Sequence, residues 1–168
     1  MKKATYFLFI LGTFLLIGNS SKAQEYKPNY QFALGLKFGG YENGISGKYF
    51  MTDNTALEGL LGFRSHGLVF TGLYEINQQA FSTEGLRFYY GFGAHVGGVG
   101  AGVYKSFGGD NEYYNNSQVL LGADGVIGLE YVIPQSPIAV SLDLNPRLEI
   151  ATGPFFDIAP GLGIKYTF

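Results

Sequence analysis

From Phe32 to the C-terminus, apolar and polar residues alternate. In "AVSLDLNPRLEI", residues 139–150, Val140, Leu142, Leu144 and Leu148 take every second position, with Ser141, Asp143, Arg147 and Glu149 between them. A two-residue period places the two sets on opposite faces of a strand. Eight segments carry it: "FALGLKFG" from Phe32, "ISGKY" from Ile45, "ALEGLLGFR" from Ala56, "LVFTGLYEI" from Leu68, "LRFYYGFGAHV" from Leu86, "LGADGVIGLEYV" from Leu121, the stretch just quoted, and "FDIAPGLGIKYTF" from Phe156. Turn-forming sequence separates them, as in "MTDN" and "PQSP", and no segment shows a 3.6-residue helical period. A Gly- and Tyr-rich stretch from about Gly97 to Ser117 breaks the rhythm.

Within the segments, every charge falls on the face opposite the regular apolar one. Lys37, Lys48, Arg64, Arg87, Arg147 and Lys165 meet Glu58, Glu75, Asp124, Glu130, Asp143, Glu149 and Asp157 there, close to balance, and His95 joins them. A soluble barrel or sandwich would turn this face outward and bury the apolar one. Two features oppose that arrangement. The charged face is also rich in Gly and Ala, which suits a narrow lumen where backbones crowd and charges pair. The aromatics of the apolar face sit at segment ends. If the segments run up and down in order, Phe32, Tyr49, Tyr74, Phe88, Tyr131, Tyr166 and Phe168 gather at one rim. Phe38, Phe63, Phe70, Phe92 and Phe156 gather towards the other. Two aromatic girdles around an aliphatic band mark a cylinder of strands in a bilayer.

A sheet in lipid must close on itself, and eight strands are the smallest usual closure, with an interior filled by side chains. The expected fold is therefore all-β: an eight-stranded antiparallel up-and-down transmembrane β-barrel with a plugged, ion-paired lumen. The connections on the rim shared with both termini are short, with one of moderate length from Asn77 to Glu84. The longest irregular stretch, 97–117, lies at the opposite rim, as expected for periplasmic turns and external loops.

Composition agrees, with 13 Tyr, 15 Phe and 26 Gly. The N-terminus reads as a secretory signal peptide, residues 1–23: basic Met1-Lys2-Lys3, an apolar run from Ala4 to Gly18, and small residues Ser21 and Ala23 before a cut that leaves a barrel domain of residues 24–168. The apolar run is shorter than the ~20 residues of a spanning helix. With no cysteine, the chain has no lipoprotein anchor, disulfide framework or thiolate metal site. Loss of Lys2, Lys3 and Lys22 leaves 8 basic against 13 acidic residues, a net charge of −5. No basic cluster suggests a nucleic-acid partner.

The signal peptide, the eight amphipathic segments and the terminal "IKYTF" together resemble the small outer-membrane β-barrel families of Gram-negative bacteria, the outer membrane protein A-type and X-type barrels. "DGVIGLEY" followed by "NPRLE" is similar to a pattern recurrent among small porin-like barrels. The resemblance covers the whole mature chain as architecture. It implies an outer-membrane location with both termini and the short turns in the periplasm, surrounding outer-membrane lipid, and the barrel-assembly machinery as a partner in biogenesis. Tyr166 and Phe168 match the assembly signal read by that machinery. There is no appended peptidoglycan-binding domain, so cell-wall tethering is not implied.

Catalytic chemistry finds little support. Ser65 and His66 adjoin at the external rim, with Asp110 and Glu112 in the long loop, but neighbours in an extended chain point opposite ways. Two isolated His and no calcium-type loop give no metal site. "GGVGAG", residues 97–102, lacks the Lys-Ser/Thr and helix of a phosphate loop. No cofactor is expected. The leading expectation is a non-enzymatic structural, binding or accessory barrel that acts through its external loops or its lipid face, with Tyr104, Phe107, Tyr113 and Tyr114 as the aromatic cluster of the long loop. A small pore is a second reading. A third is an accessory subunit of a larger membrane complex, approached closely at Gly47, Gly59, Gly72 and Gly125.

Overall fold

The computed structural model describes residues 30–39, 41–64, 66–81, 83–104, 112–152 and 155–168, so the expected signal peptide lies outside the described residues. The strands are β1 (Phe32–Gly39), β2 (Asn43–Phe50), β3 (Thr55–Arg64), β4 (Gly67–Gln79), β5 (Leu86–Val99), β6 (Gly102–Tyr104), β7 (Glu112–Tyr114), β8 (Gln118–Val132), β9 (Ile138–Glu149) and β10 (Phe155–Thr167). Eight of them close into an antiparallel barrel, β1-β2-β3-β4-β5-β8-β9-β10 and back to β1. This is the expected fold. The remaining two, β6 and β7, form a separate hairpin between β5 and β8.

Regular structure reaches further than the alternation suggested. β4 continues to Gln79, β5 runs on to Val99, so the start of the supposedly irregular stretch is strand, and β8 begins at Gln118, directly after its end. Gly97 and Gly98 offer no apolar contrast between faces, which hides the period there.

The register explains a second difference. Pairing carries Leu34 across to Gly47, Gly59, Gly72, Ala94, Ala123, Leu148 and then Phe156 on β10. Yet Leu34 itself pairs with Tyr166 on β10, a stagger of ten residues (166 − 156). Strands so staggered tilt by about 40° from the barrel axis. Each strand is displaced along the axis relative to the last, so position within a segment does not give height. Tyr74 and Phe92, expected at opposite rims, are direct register partners with ring centroids 5.8 Å apart.

Along every strand of the wall burial follows the pleat. Lys48, Glu75, Arg87 and Glu130 point inward and are fully buried, whereas Leu57, Phe70 and Leu142 point outward at 46%, 54% and 62% exposure. Inward positions are crowded. A Cβ at Gly35 or Gly93 would fall on the carbonyl oxygen of Ile164 or Gly72 across the ladder.

Two prolines sit within strands. Ile150 donates its N–H to Leu121, so alternate residues of β9, Pro146 among them, face β8. Pro146 has no N–H to give Gly125 opposite, and the ladder accordingly skips Gly125 and Val126. Pro160 faces the β1 side just beyond Gly39, where β1 has ended, and interrupts nothing.

Candidate functional site

The lumen gathers nearly all the ionisable side chains of the wall. At the end near Tyr30 and Phe168, the terminal end, Lys48 Nζ lies 2.9 Å from Glu75 Oε2 and 3.5 Å from Glu130 Oε2, and donates to Asn77 Oδ1 at 2.9 Å. Lys165 Nζ sits 2.8 Å from Glu58, and Arg87 lies 3.5 Å from Glu130. Tyr30 donates to Glu130 at 2.6 Å and Ser46 to Glu58 at 2.6 Å. Burial, and then the Glu130 carboxylate, hold the Tyr30 phenol well above its ordinary pKa. The Arg87 guanidinium is 4.8 Å from the Tyr30 ring and 5.1 Å from that of Phe50, and the two rings meet edge-on. With Val132 and Ala139 they close the terminal end with an apolar floor.

Above this network lies a waist. Leu73, Tyr89 and Val126 pack together on the neighbouring strands β4, β5 and β8, and the Tyr89 ring reaches inward to within 4.5 Å of Lys48 Nζ. Tyr89 donates to Asp143 at 2.6 Å, and Lys37 lies 3.1 Å from the same carboxylate.

A second network fills the loop end. Glu149 Oε2 is 3.0 Å from His95 Nε2, and His95 Nδ1 is 2.7 Å from Asp124. Asp124 is also 2.7 Å from Arg147 Nε. Arg147 Nη2 is 3.0 Å from Glu42, and Arg64 is 2.9 Å from Glu42. Glu149 Oε1 further accepts the N–H groups of Leu121, Ile150 and Ala151, holding the residues that directly follow β9. A lid of Val69, Val99, Leu120 and Tyr114, with Tyr41 and Phe155 against it, covers the network. The Tyr114 hydroxyl is 3.2 Å from that of Thr152, and the Tyr41 ring lies 4.3 Å from the Arg147 guanidinium carbon. A cavity of about 30 Å³ beside Lys37, Glu42 and Arg147 has room for about one water molecule.

All thirteen residues expected on the charged face point into this lumen; Arg64, at its loop-end edge, is partly exposed. Sequence reasoning missed Glu42, which lies in a connection where no alternation operates, and Tyr30, which precedes the first segment and turns inward. It also named Tyr89 only as a position on the charged face, not as part of the waist.

At the loop end, Tyr113 is 67% exposed. Tyr114, expected beside it in a contact surface, is instead buried in the lid, because β7 alternates and one of two adjacent tyrosines must turn inward. Phe107, Ser65 and Asp110 lie outside the described residues, and Tyr104 and Glu112 are described by backbone alone. His66 is exposed and no catalytic constellation forms around it among the described residues. Among those residues no cluster could hold a metal ion. Tyr166 and Phe168 point outward with ring centroids 4.9 Å apart.

The chain is similar to the N-terminal β-barrel domain of Pseudomonas aeruginosa OprF, with 20% identity and a TM-score of 0.55 over 82% of this chain and 95% of that one. It is also similar to Neisserial surface protein A, NspA (12%, 0.45, 82% and 95%) and to Ail, the attachment invasion locus protein of Yersinia pestis (16%, 0.42, 82% and 93%). No protein-family description and no curated protein matches it. At these identities the likeness to the OprF domain speaks to the fold, a small closed β-barrel.

Proposed function

We propose that the chain is a non-enzymatic outer-membrane barrel of a Gram-negative bacterium, exported by residues 1–23 and seated in lipid through residues 24–168. One observation carries this reading: a closed wall buries paired charges inside and presents Leu, Ile, Val and aromatic side chains outside. A barrel with its ions inside and its apolar surface outside is matched to hydrocarbon rather than water. The inward crowding, the waist and the caps favour a plug over a passage. The protein then acts through what it shows at its outer rim or lipid face, as a binding or accessory component. Both termini and the short turns face the periplasm, and Tyr166 and Phe168 serve as the signal for the barrel-assembly machinery.

Around the outer rim the described residues carry few exposed cations, so polyanions are not favoured partners, and Tyr113, Asn115 and Asn116 supply uncharged contacts. The test is expression of the full chain in a Gram-negative host, with fractionation, protease treatment of intact cells and mass spectrometry of what co-purifies from mild detergent. Recovery in the outer membrane with cleavage confined to residues 105–116 supports the reading. A soluble periplasmic protein would end it. A larger membrane protein recovered in fixed proportion would make the chain an accessory subunit, and deletion of 105–116 would then show whether the loop or the lipid face holds it.

A further inference from the structure

The apolar outer band is not of uniform height. On β8 the outward positions stay apolar from Val119 to Ile133, fourteen residues apart, whereas on β1 they run only from Phe32 to Phe38, six residues apart. At about 2.5 Å of axial rise per residue for strands tilted by about 40°, these spans are about 35 Å and about 15 Å. The apolar band of an outer-membrane barrel is about 25 Å tall. β1 and β8 stand on nearly opposite sides of the wall.

The register locates the difference. Leu36, Ile45, Leu61, Phe70, Val96 and Leu121 lie on one hydrogen-bonded row. A stagger of ten residues over eight strands raises Leu121 above Leu36 by about 15 Å. Phe38 and Val119 sit two residues further up on their strands. At the terminal end, Phe32 and Tyr131 finish nearly level by the same geometry. The band is therefore a wedge, and tilting the axis would level its upper edge only by unlevelling the lower one.

Resting on the membrane reading above, we infer that the barrel deforms its bilayer: the lipid beside β1 and β2 thins, and the lipid beside β8 and β9 thickens. The partner of the short side is acyl chain that is shorter or more disordered than the bulk. Hydrophobic mismatch is relieved in this way when tilt cannot relieve it.

The chain has no cysteine, so single nitroxide labels can be placed cleanly. Phe38→Cys and Val119→Cys mark the upper edge, Met51→Cys and Ile133→Cys the lower edge, and Leu142→Cys the middle. All five native side chains are exposed, so labelling them leaves the lumen intact. Depth is read by oxygen and nickel collision rates with the full mature chain in phosphatidylcholine vesicles. The expected result is one interfacial depth for the upper pair and one for the lower pair. An upper pair separated by about 15 Å, with position 38 in hydrocarbon and position 119 in water, means a flat bilayer and overturns the inference. A level upper pair with a split lower pair means rigid tilt and also overturns it. Nickel access at position 142 would reject the membrane reading itself, independently of the wedge.

Discussion

Arg147 is the junction of the loop-end network. Its guanidinium reaches Asp124, Glu42 and Thr71, with the Tyr41 ring against it. Removing one partner of a buried ion pair leaves the other charge uncompensated and costs about 3–5 kcal/mol. Arg147→Ala should lower unfolding free energy by that amount in urea titrations of the lipid-reconstituted barrel. Arg147→Met combined with Asp124→Asn should recover part of it, and a loss below about 1 kcal/mol in the single variant would show that water already serves these carboxylates. Glycines make a sharper contrast. A Cβ at Gly93 would strike the Gly72 carbonyl oxygen, whereas a Cβ at Gly72 meets nothing closer than Phe70 Cε1 at 3.9 Å. Gly93→Ala should fail to give the compact, heat-modifiable barrel on gels, and Gly72→Ala should give it normally. The inward direction of Arg147 was legible from alternation alone. Its partner Glu42 was not, because a residue in a connection has no parity, and pairing across 105 positions depends on how the wall closes.

Strands were legible where adjacent positions differ in polarity, as in β3 and β9. They were not legible at Gly97–Val99, where successive small side chains look alike on both faces, nor in β6 and β7, three residues each. Height was not legible either, since the ten-residue stagger belongs to the pairing of eight strands and to no single segment. The pairing of Tyr74 with Phe92 follows from it. β9 adds a local consequence. Pro146 interrupts its ladder with β8 opposite Gly125, at a point where lipid offers no substitute donor. Pro146→Val restores an N–H there and should raise stability by about 0.5–1.5 kcal/mol. Hydrogen exchange gives the check: the new amide at 146 should exchange as slowly as those of Leu144 and Leu148. Rapid exchange would mean that β8 and β9 are held apart there by something other than the missing donor.

At the scale of the whole molecule, the lumen is obstructed at three places. The floor of Tyr30 and Phe50 and the lid holding Tyr114 are apolar clusters towards the two ends, and the cluster of Leu73, Tyr89 and Val126 lies between them, with paired charges on either side of it and Tyr89 bonded to Asp143. An ion crossing the lumen would have to break paired charges and then pass an apolar layer, and each network would attract ions of both signs. Planar bilayers containing the protein should therefore show no steady unitary conductance. The series arrangement makes a stronger statement: deleting 105–116 removes Tyr114 from the lid but leaves waist and floor, so this variant should be silent too. Adding Tyr30→Ala and Phe50→Ala thins both ends, while Val69, Val99 and Leu120 remain in the lid and the middle cluster remains between the networks. Conductance should then require substitution of these and of Leu73, Tyr89 and Val126 as well. Unitary steps from the unaltered protein would mean that the networks rearrange in the bilayer, and the protein would then have to be regarded as a channel whose plug can move.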